Sequence, residues 1–116
     1  MKKIYYLGTC STCARIIEEL GLKNKKFEFQ DIKTEKITAV QLAEMKKIVG
    51  SYEVLFSRVA LKYRALGLDK NKLTEDDYKK YILEEYTFLK RPVIIIKDKI
   101  FVGNSKNTVA AAKAEL

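Results

Sequence analysis

Lys3-Ile4-Tyr5-Tyr6-Leu7-Gly8-Thr9-Cys10-Ser11-Thr12-Cys13-Ala14-Arg15-Ile16-Ile17-Glu18-Glu19-Leu20-Gly21 is the stretch on which the reading of this chain turns. Residues 3–7 are short, apolar and rich in aromatic and branched side chains, and Gly8-Thr9 bounds them, so they read as a buried strand. Ile16, Ile17 and Leu20 then recur at helical spacing up to Gly21, a plausible C-terminal stop. Cys10 and Cys13 therefore fall at the start of a helix that follows a first strand. A thiol pair separated by two residues in that setting reads as a thioredoxin-like redox motif. Positions i and i+3 share a helix face, close enough to bridge, and a helix N-terminus stabilises a thiolate. A free thiol of pKa about 8.5 is only ~3% ionised at pH 7, so such stabilisation matters for reactivity. On this reading Cys10 is the attacking sulfur and Cys13 the resolving one. Two other readings of the pair stay open: a structural disulfide, or two inert core thiols on an amphipathic face.

Working outward, Phe27-Glu28-Phe29-Gln30 alternates apolar and polar and reads as a second strand. Thr38 can cap a helix carrying Val40, Leu42, Met45, Ile48 and Val49 before Gly50, and Leu55 to Leu66 has a weaker helical pattern ending at Gly67. Thr74 with Glu75-Asp76-Asp77 resembles a capped helix start, acidic where the helix dipole favours it, with the helix running through Tyr78, Ile82 and Leu83 towards Tyr86. Tyr52, Tyr63, Tyr78, Tyr81 and Tyr86 read as helix faces packing on a core. Val93-Ile94-Ile95-Ile96 suits a strand buried on both faces, Lys97-Asp98-Lys99 a turn, and Ile100-Phe101-Val102 a returning strand. A final helix is expected over Thr108 to Glu115. The order is β-α-β, a helical insert over residues 38–86, then β-β-α: one α/β domain spanning residues 1–116, three-layered, around a mixed four-stranded sheet. Pro92, the sole proline, stands at a strand entrance where its missing N–H is tolerable.

Composition narrows the chemistry. The chain has 116 residues, 47% hydrophobic, enough for one packed core. It contains no histidine, which excludes Ser-His-Asp and Cys-His catalysis and histidine metal ligation, and its two cysteines cannot complete a four-thiolate metal site. No metal site and no tightly bound cofactor are expected. No apolar run approaches the roughly 20 residues of a membrane helix, and Met1-Lys2-Lys3 leads straight into the first strand, so a cytoplasmic protein with no membrane partner is expected. The cysteine usage fits a reducing compartment. Formal charge is +8, but residues 1–50 and the remainder each net +4 with no basic tail, so the charge reads as a solvated surface and not as a nucleic-acid site.

Thr9-Cys10-Ser11-Thr12-Cys13, Leu89-Lys90-Arg91-Pro92-Val93-Ile94-Ile95 and Val102-Gly103-Asn104, with the helical insert between the second and third strands, resemble the arsenate reductase/Spx family of thioredoxin-like proteins over nearly the whole chain. That resemblance implies a thioredoxin-like fold, Cys10 as nucleophile, Arg91 holding an oxyanion or stabilising the thiolate, and a cis Pro92 facing the cysteine pair. It also implies Ser11, Thr12 and Pro92 as substrate-binding residues, with Arg58 as a looser match. The reductases carry a further arginine just after the last strand, which Val102-Gly103-Asn104-Ser105 lacks, and there the chain is more similar to Spx. Cys13 would let the protein resolve its own mixed disulfide. Two functions follow from the resemblance: a monomeric thiol-disulfide oxidoreductase acting on a disulfide or small oxyanion, with glutathione or a thioredoxin- or glutaredoxin-type protein as reductant, or a redox-switched regulator docking on the RNA polymerase α subunit.

Overall fold

The computed structural model describes residues 1–116. Four strands, β1 (Lys2–Tyr6), β2 (Glu28–Asp31), β3 (Val93–Ile96) and β4 (Lys99–Val102), form one mixed sheet in the order β2-β1-β3-β4. Five helices accompany them: α1 (Ser11–Leu20), α2 (Ala39–Val49), α3 (Leu61–Ala65), α4 (Glu75–Glu84) and α5 (Lys106–Ala114). β1 pairs parallel to β2 and antiparallel to β3, and β4 closes a hairpin with β3. This is the thioredoxin-like fold. The chain divides into two compact units, Met1–Lys36 with Arg91–Leu116, and Ile37–Lys90.

In the sheet unit the register decides what is buried. Ile4 lies opposite both Phe29 and Ile94, and Ile94 opposite Phe101, so these side chains share one face. Ile16, Ile17 and Leu20 of α1 and Val109 and Ala112 of α5 pack on that face with Ile4, Ile94 and Ile96. Burying each large aliphatic side chain contributes about 1.5–3 kcal/mol, which makes this cluster the dominant stabilising term of the unit. The other face carries Tyr5, Val93 and Ile95, buried as well, together with Lys3. Lys3 keeps its charge because its cross-strand partner Glu28 lies 2.9 Å away. Every residue of β3 is buried, as its unbroken apolar run predicts. Gly21 ends α1 in the left-handed region at φ 63°, where a side chain would be strained.

The helical unit is built on caps and aromatics. Thr38 and Thr74 each form a reciprocal capping box, with Gln41 and Asp77 respectively. Glu75 reaches further: its carboxylate accepts the backbone N–H groups of Tyr52 at 2.7 Å and Glu53 at 3.1 Å. Phe56 stacks on Phe88 at 5.0 Å between ring centroids and also meets Tyr63 and Tyr78, while Tyr81 packs edge-on to Phe88. Three of the tyrosines read as packing residues thus gather on one buried aromatic cluster.

The pattern at Leu55–Leu66 is misleading as a helix. Only Leu61–Ala65 is α-helical; Leu55 ends a 3-10 turn over Glu53–Leu55, and residues 55–57 pair elsewhere: Ser57 N–H donates to Phe88 C=O at 2.7 Å, Lys90 N–H to Leu55 C=O at 2.9 Å, and Phe56 bridges Leu89 antiparallel. A nonlocal strand-like contact has taken the donors and acceptors that a helix would use. Two ends also shift. α4 stops at Glu84, with Tyr86–Phe88 as a separate 3-10 turn, and α5 starts at Lys106, capped by the Ser105 hydroxyl, not at Thr108. The hairpin turn is Lys97-Asp98 alone, with Lys99 already in β4 opposite Ile96.

Candidate functional site: a thiol pair at the N-terminus of a helix

Cys10 is the N-cap residue of α1, with extended backbone (φ −91°, ψ 114°), and its carbonyl accepts the first turn's N–H from Ala14 at 3.1 Å. Its own N–H donates to Leu7 C=O at 3.0 Å, which ties the cysteine to the end of β1. No acidic residue stands in the first turn of α1, so nothing cancels the positive end of the helix dipole. In the connecting loop Gly8 lies against the Asp31 carboxylate at the end of β2, which a Cβ there would push aside.

The two sulfurs are unlike. Cys10 is partly exposed and Cys13 is buried, and both are free thiols. Partial burial works against a Cys10 thiolate, yet its pKa lies below the ordinary thiol value. The Cys13 N–H, the Cys13 thiol and the Thr12 N–H all donate to its sulfur, and the Arg91 charge adds to them. Cys13 goes the other way, pushed up from 9.0 to about 11, chiefly by burial and further by the negative charge and hydrogen bond of Cys10; the Leu7 N–H and Arg91 only partly offset this. One thiol is thus disposed to ionise, and its neighbour to keep its proton and donate a hydrogen bond.

Ser11 and Thr12 open α1, and Thr12 acts through its backbone N–H. The Arg91–Pro92 peptide bond is cis. Pro92 is buried immediately before β3, and its carbonyl accepts the Gly103 N–H at 2.9 Å, which gives the Val102-Gly103 segment a positioning role beside the site. Arg91 is half-buried, with its Nε shielded from solvent. Cys10, Ser11, Thr12, Cys13, Arg91 and Pro92 all belong to the sheet unit. Arg58 belongs to the helical unit, where its guanidinium donates to Glu53 at 2.8 Å and to the Tyr78 hydroxyl at 2.9 Å. Leu7 and Asp31 went unread in the sequence. The first acts through backbone groups that carry no side-chain signature; the second could be sought only through its register opposite the end of β1.

A thioredoxin-like sheet that sets a partly exposed cysteine at a helix N-terminus, with a second thiol one turn on and a cis proline ahead of the third strand, defines a thiol protein of redox type. The ArsC family model matches residues 5–112, and the chain belongs to that family of thiol-based redox proteins. No curated protein matches it. Among solved structures it is similar to an arsenate reductase of Vibrio cholerae (TM-score 0.80, 15% identity, 95% of each chain covered). It is also similar to an arsenate reductase-related protein of Brucella melitensis (TM-score 0.73, 25% identity, 95% of this chain and 92% of that one). A protein of Staphylococcus aureus COL matches likewise (TM-score 0.76, 24% identity, 96% and 97%). No helix is long and apolar enough to cross a membrane.

Proposed function

We propose that this protein is a thiol-disulfide oxidoreductase in which Cys10 is the nucleophile and Cys13 the resolving thiol. The observation that carries the proposal is the placement of the two thiols, Cys10 partly exposed as the N-cap of α1 and Cys13 buried one turn on, which holds the Cys10 thiol below the ordinary value and the Cys13 thiol above it. The Cys10 thiolate attacks one sulfur of a substrate disulfide, forms a mixed disulfide and expels the other sulfur as a thiolate. Cys10 then no longer carries the charge and the acceptor that held the Cys13 proton. Cys13 loses that proton more readily and attacks the Cys10 sulfur, which releases the reduced substrate and leaves a Cys10–Cys13 disulfide. Glutathione or a thioredoxin- or glutaredoxin-type dithiol returns the pair to the reduced state. The absence of arginine from residues 102–105 favours a disulfide over a small oxyanion as substrate. Stopped-flow reduction of a mixed disulfide tests this: Cys10→Ser abolishes turnover, and Cys13→Ser accumulates a covalent adduct on Cys10. Turnover retained in Cys10→Ser refutes the proposal.

A second reading has an observation of its own. Val59 and Leu61 are 89% and 91% exposed, an apolar tip flanked by Arg58 and Lys62 that suits a protein partner. On this reading the thiol pair switches docking on the RNA polymerase α subunit. Binding of the purified α subunit that depends on the redox state of the pair supports it, and no binding in either state removes it.

A further inference from the structure

The strand order places four segments side by side along one edge of the sheet. β1 leads through Leu7-Gly8-Thr9 into Cys10, and β2 ends beside it, with Asp31 opposite Tyr6. On the far side of β1, Arg91-Pro92 enters the antiparallel strand β3, and the Gly103 N–H that follows β4 donates to the Pro92 carbonyl. Cys10 therefore stands between two groups of opposite charge, Arg91 on the β3 flank and Asp31 on the β2 flank. Arg91 acts on both thiols. Asp31 has no part in the chemistry described above. One of its oxygens, Oδ1, accepts the Lys33 N–H at 3.0 Å and so closes a turn. The other, Oδ2, lies against Gly8. Gly8 is two residues from Cys10, a span of at most about 7 Å between their Cα atoms.

We infer that Asp31 is a specificity-determining residue of this site: its carboxylate receives an ammonium or guanidinium group carried next to the substrate disulfide, so that the preferred substrate is a disulfide with a basic neighbour. The inference rests on the oxidoreductase reading and narrows its substrate class. The turn needs only Oδ1, which an asparagine amide or a serine hydroxyl also supplies, so the charge on Asp31 is surplus to it. No cation of the chain neutralises that charge. The ion pairs are Lys3–Glu28, Arg58–Glu53, Lys62–Glu85 and Lys99–Glu115, and Lys33 makes none with Asp31. The Lys33 bond also fixes the carboxylate before a substrate arrives, so little further ordering is lost on binding. Asp31 is half-buried, where an ion pair is screened less than on open surface. Arg91, on the other flank, repels the same basic group and so sets the direction in which the substrate crosses Cys10. The overall charge of +8 favours anions, which makes a preference for cations the mark of a local carboxylate and not of the whole surface.

The probes are cystamine and its neutral counterpart bis(2-hydroxyethyl) disulfide. A second series, with the cation farther from sulfur, uses the homodisulfides of acetyl-cysteinyl-lysine amide and acetyl-cysteinyl-glutamine amide. In each, the Cys10 thiolate attacks one sulfur, the S–S bond breaks, and the other half leaves as a thiolate that takes a proton from water. Cys13 then gives its proton to water, attacks the Cys10 sulfur and releases the second half, so the protein's two thiols are oxidised as one disulfide is reduced to two thiols. Single-turnover rates are read by mass spectrometry, because iodoacetamide in denaturant modifies the pair only while it is reduced. Each rate is divided by that of the same disulfide with dithiothreitol. The cationic-to-neutral ratio of the wild-type protein exceeds that of Asp31→Asn, and separately of Asp31→Ser, by threefold to fivefold in at least one series. That is about 0.7–1 kcal/mol at 1.4 kcal/mol per factor of ten, the range of a solvent-accessible ion pair. Asp98→Asn, in the β3–β4 turn at the opposite end of the sheet, removes the same charge and leaves the wild-type ratio in place. A ratio unchanged in both Asp31 variants, or lowered as much by Asp98→Asn, overturns the role of Asp31 and leaves the oxidoreductase reading intact. Absence of Cys10–Cys13 oxidation by every probe overturns both.

Discussion

Burial raises the Cys13 thiol from 9.0 to about 11, and that makes the stability of the fold depend on alkaline pH in a way one substitution can isolate. A group whose folded pKa lies above its unfolded value contributes stability that is fully present below the unfolded pKa. That stability is lost as pH climbs to the folded one, because the unfolded chain ionises first. The window here runs from about 9 to about 11. Each pH unit of separation corresponds to 1.36 kcal/mol, so the wild-type protein loses up to about 2.7 kcal/mol through this group. Because Cys10 shares the site and the titration ends at pH 10.5, below the folded value, a measured loss of about 1–2 kcal/mol is expected. Lysines and tyrosines titrate in the same range, and the Cys13→Ala variant cancels them. Its own cost, a small void where the sulfur was, is independent of pH. The assay is urea unfolding followed by far-ultraviolet circular dichroism from pH 7 to pH 10.5 under a phosphine reductant. The stability difference, wild type minus Cys13→Ala, falls as pH rises above about 9. A difference that stays constant over that range refutes the protonated, buried state of Cys13.

Two further substitutions probe the helical unit that interrupts the sheet. Phe56→Ala removes the ring around which Tyr63, Tyr78 and Phe88 assemble and destabilises by about 3–5 kcal/mol in equilibrium unfolding. Glu75→Ala strands the Tyr52 and Glu53 N–H groups; a loss of about 1–3 kcal/mol is expected, and hydrogen exchange at those two amides accelerates selectively.

How legible the molecule was depends on the range of the interactions involved. β3 could be read to the residue because an unbroken apolar run is a local signal, and α1 and α2 because left-handed Gly21 and Gly50 end them. The segment 55–60 could not. Its helical periodicity was overridden at residues 55–57 by backbone bonds to residues 88–90, more than thirty positions away, which no local pattern announces. At the site, the cysteine spacing located the thiol pair, while the groups that bias it are largely backbone N–H groups, those of Thr12 and Cys13 on Cys10 and that of Leu7 on Cys13. The register of β2 against β1 brings Asp31 over Gly8, and that pairing exists only once the strands are aligned. Arg91 and Pro92 were accessible through resemblance; Gly103, whose N–H donates to the Pro92 carbonyl, is glycine because its φ of 93° lies in the left-handed region.

The account stands on Cys10 being a stabilised thiolate at the start of α1. The direct measurement is the pH dependence of iodoacetamide alkylation at Cys10, resolved from Cys13 by mass spectrometry, in the wild-type protein and in Arg91→Ala. The account predicts a Cys10 midpoint below that of free cysteine in the same buffer, moving upward in Arg91→Ala, with Cys13 unmodified until much higher pH. A Cys10 midpoint at or above that of free cysteine, or alkylation of Cys13 first, contradicts it.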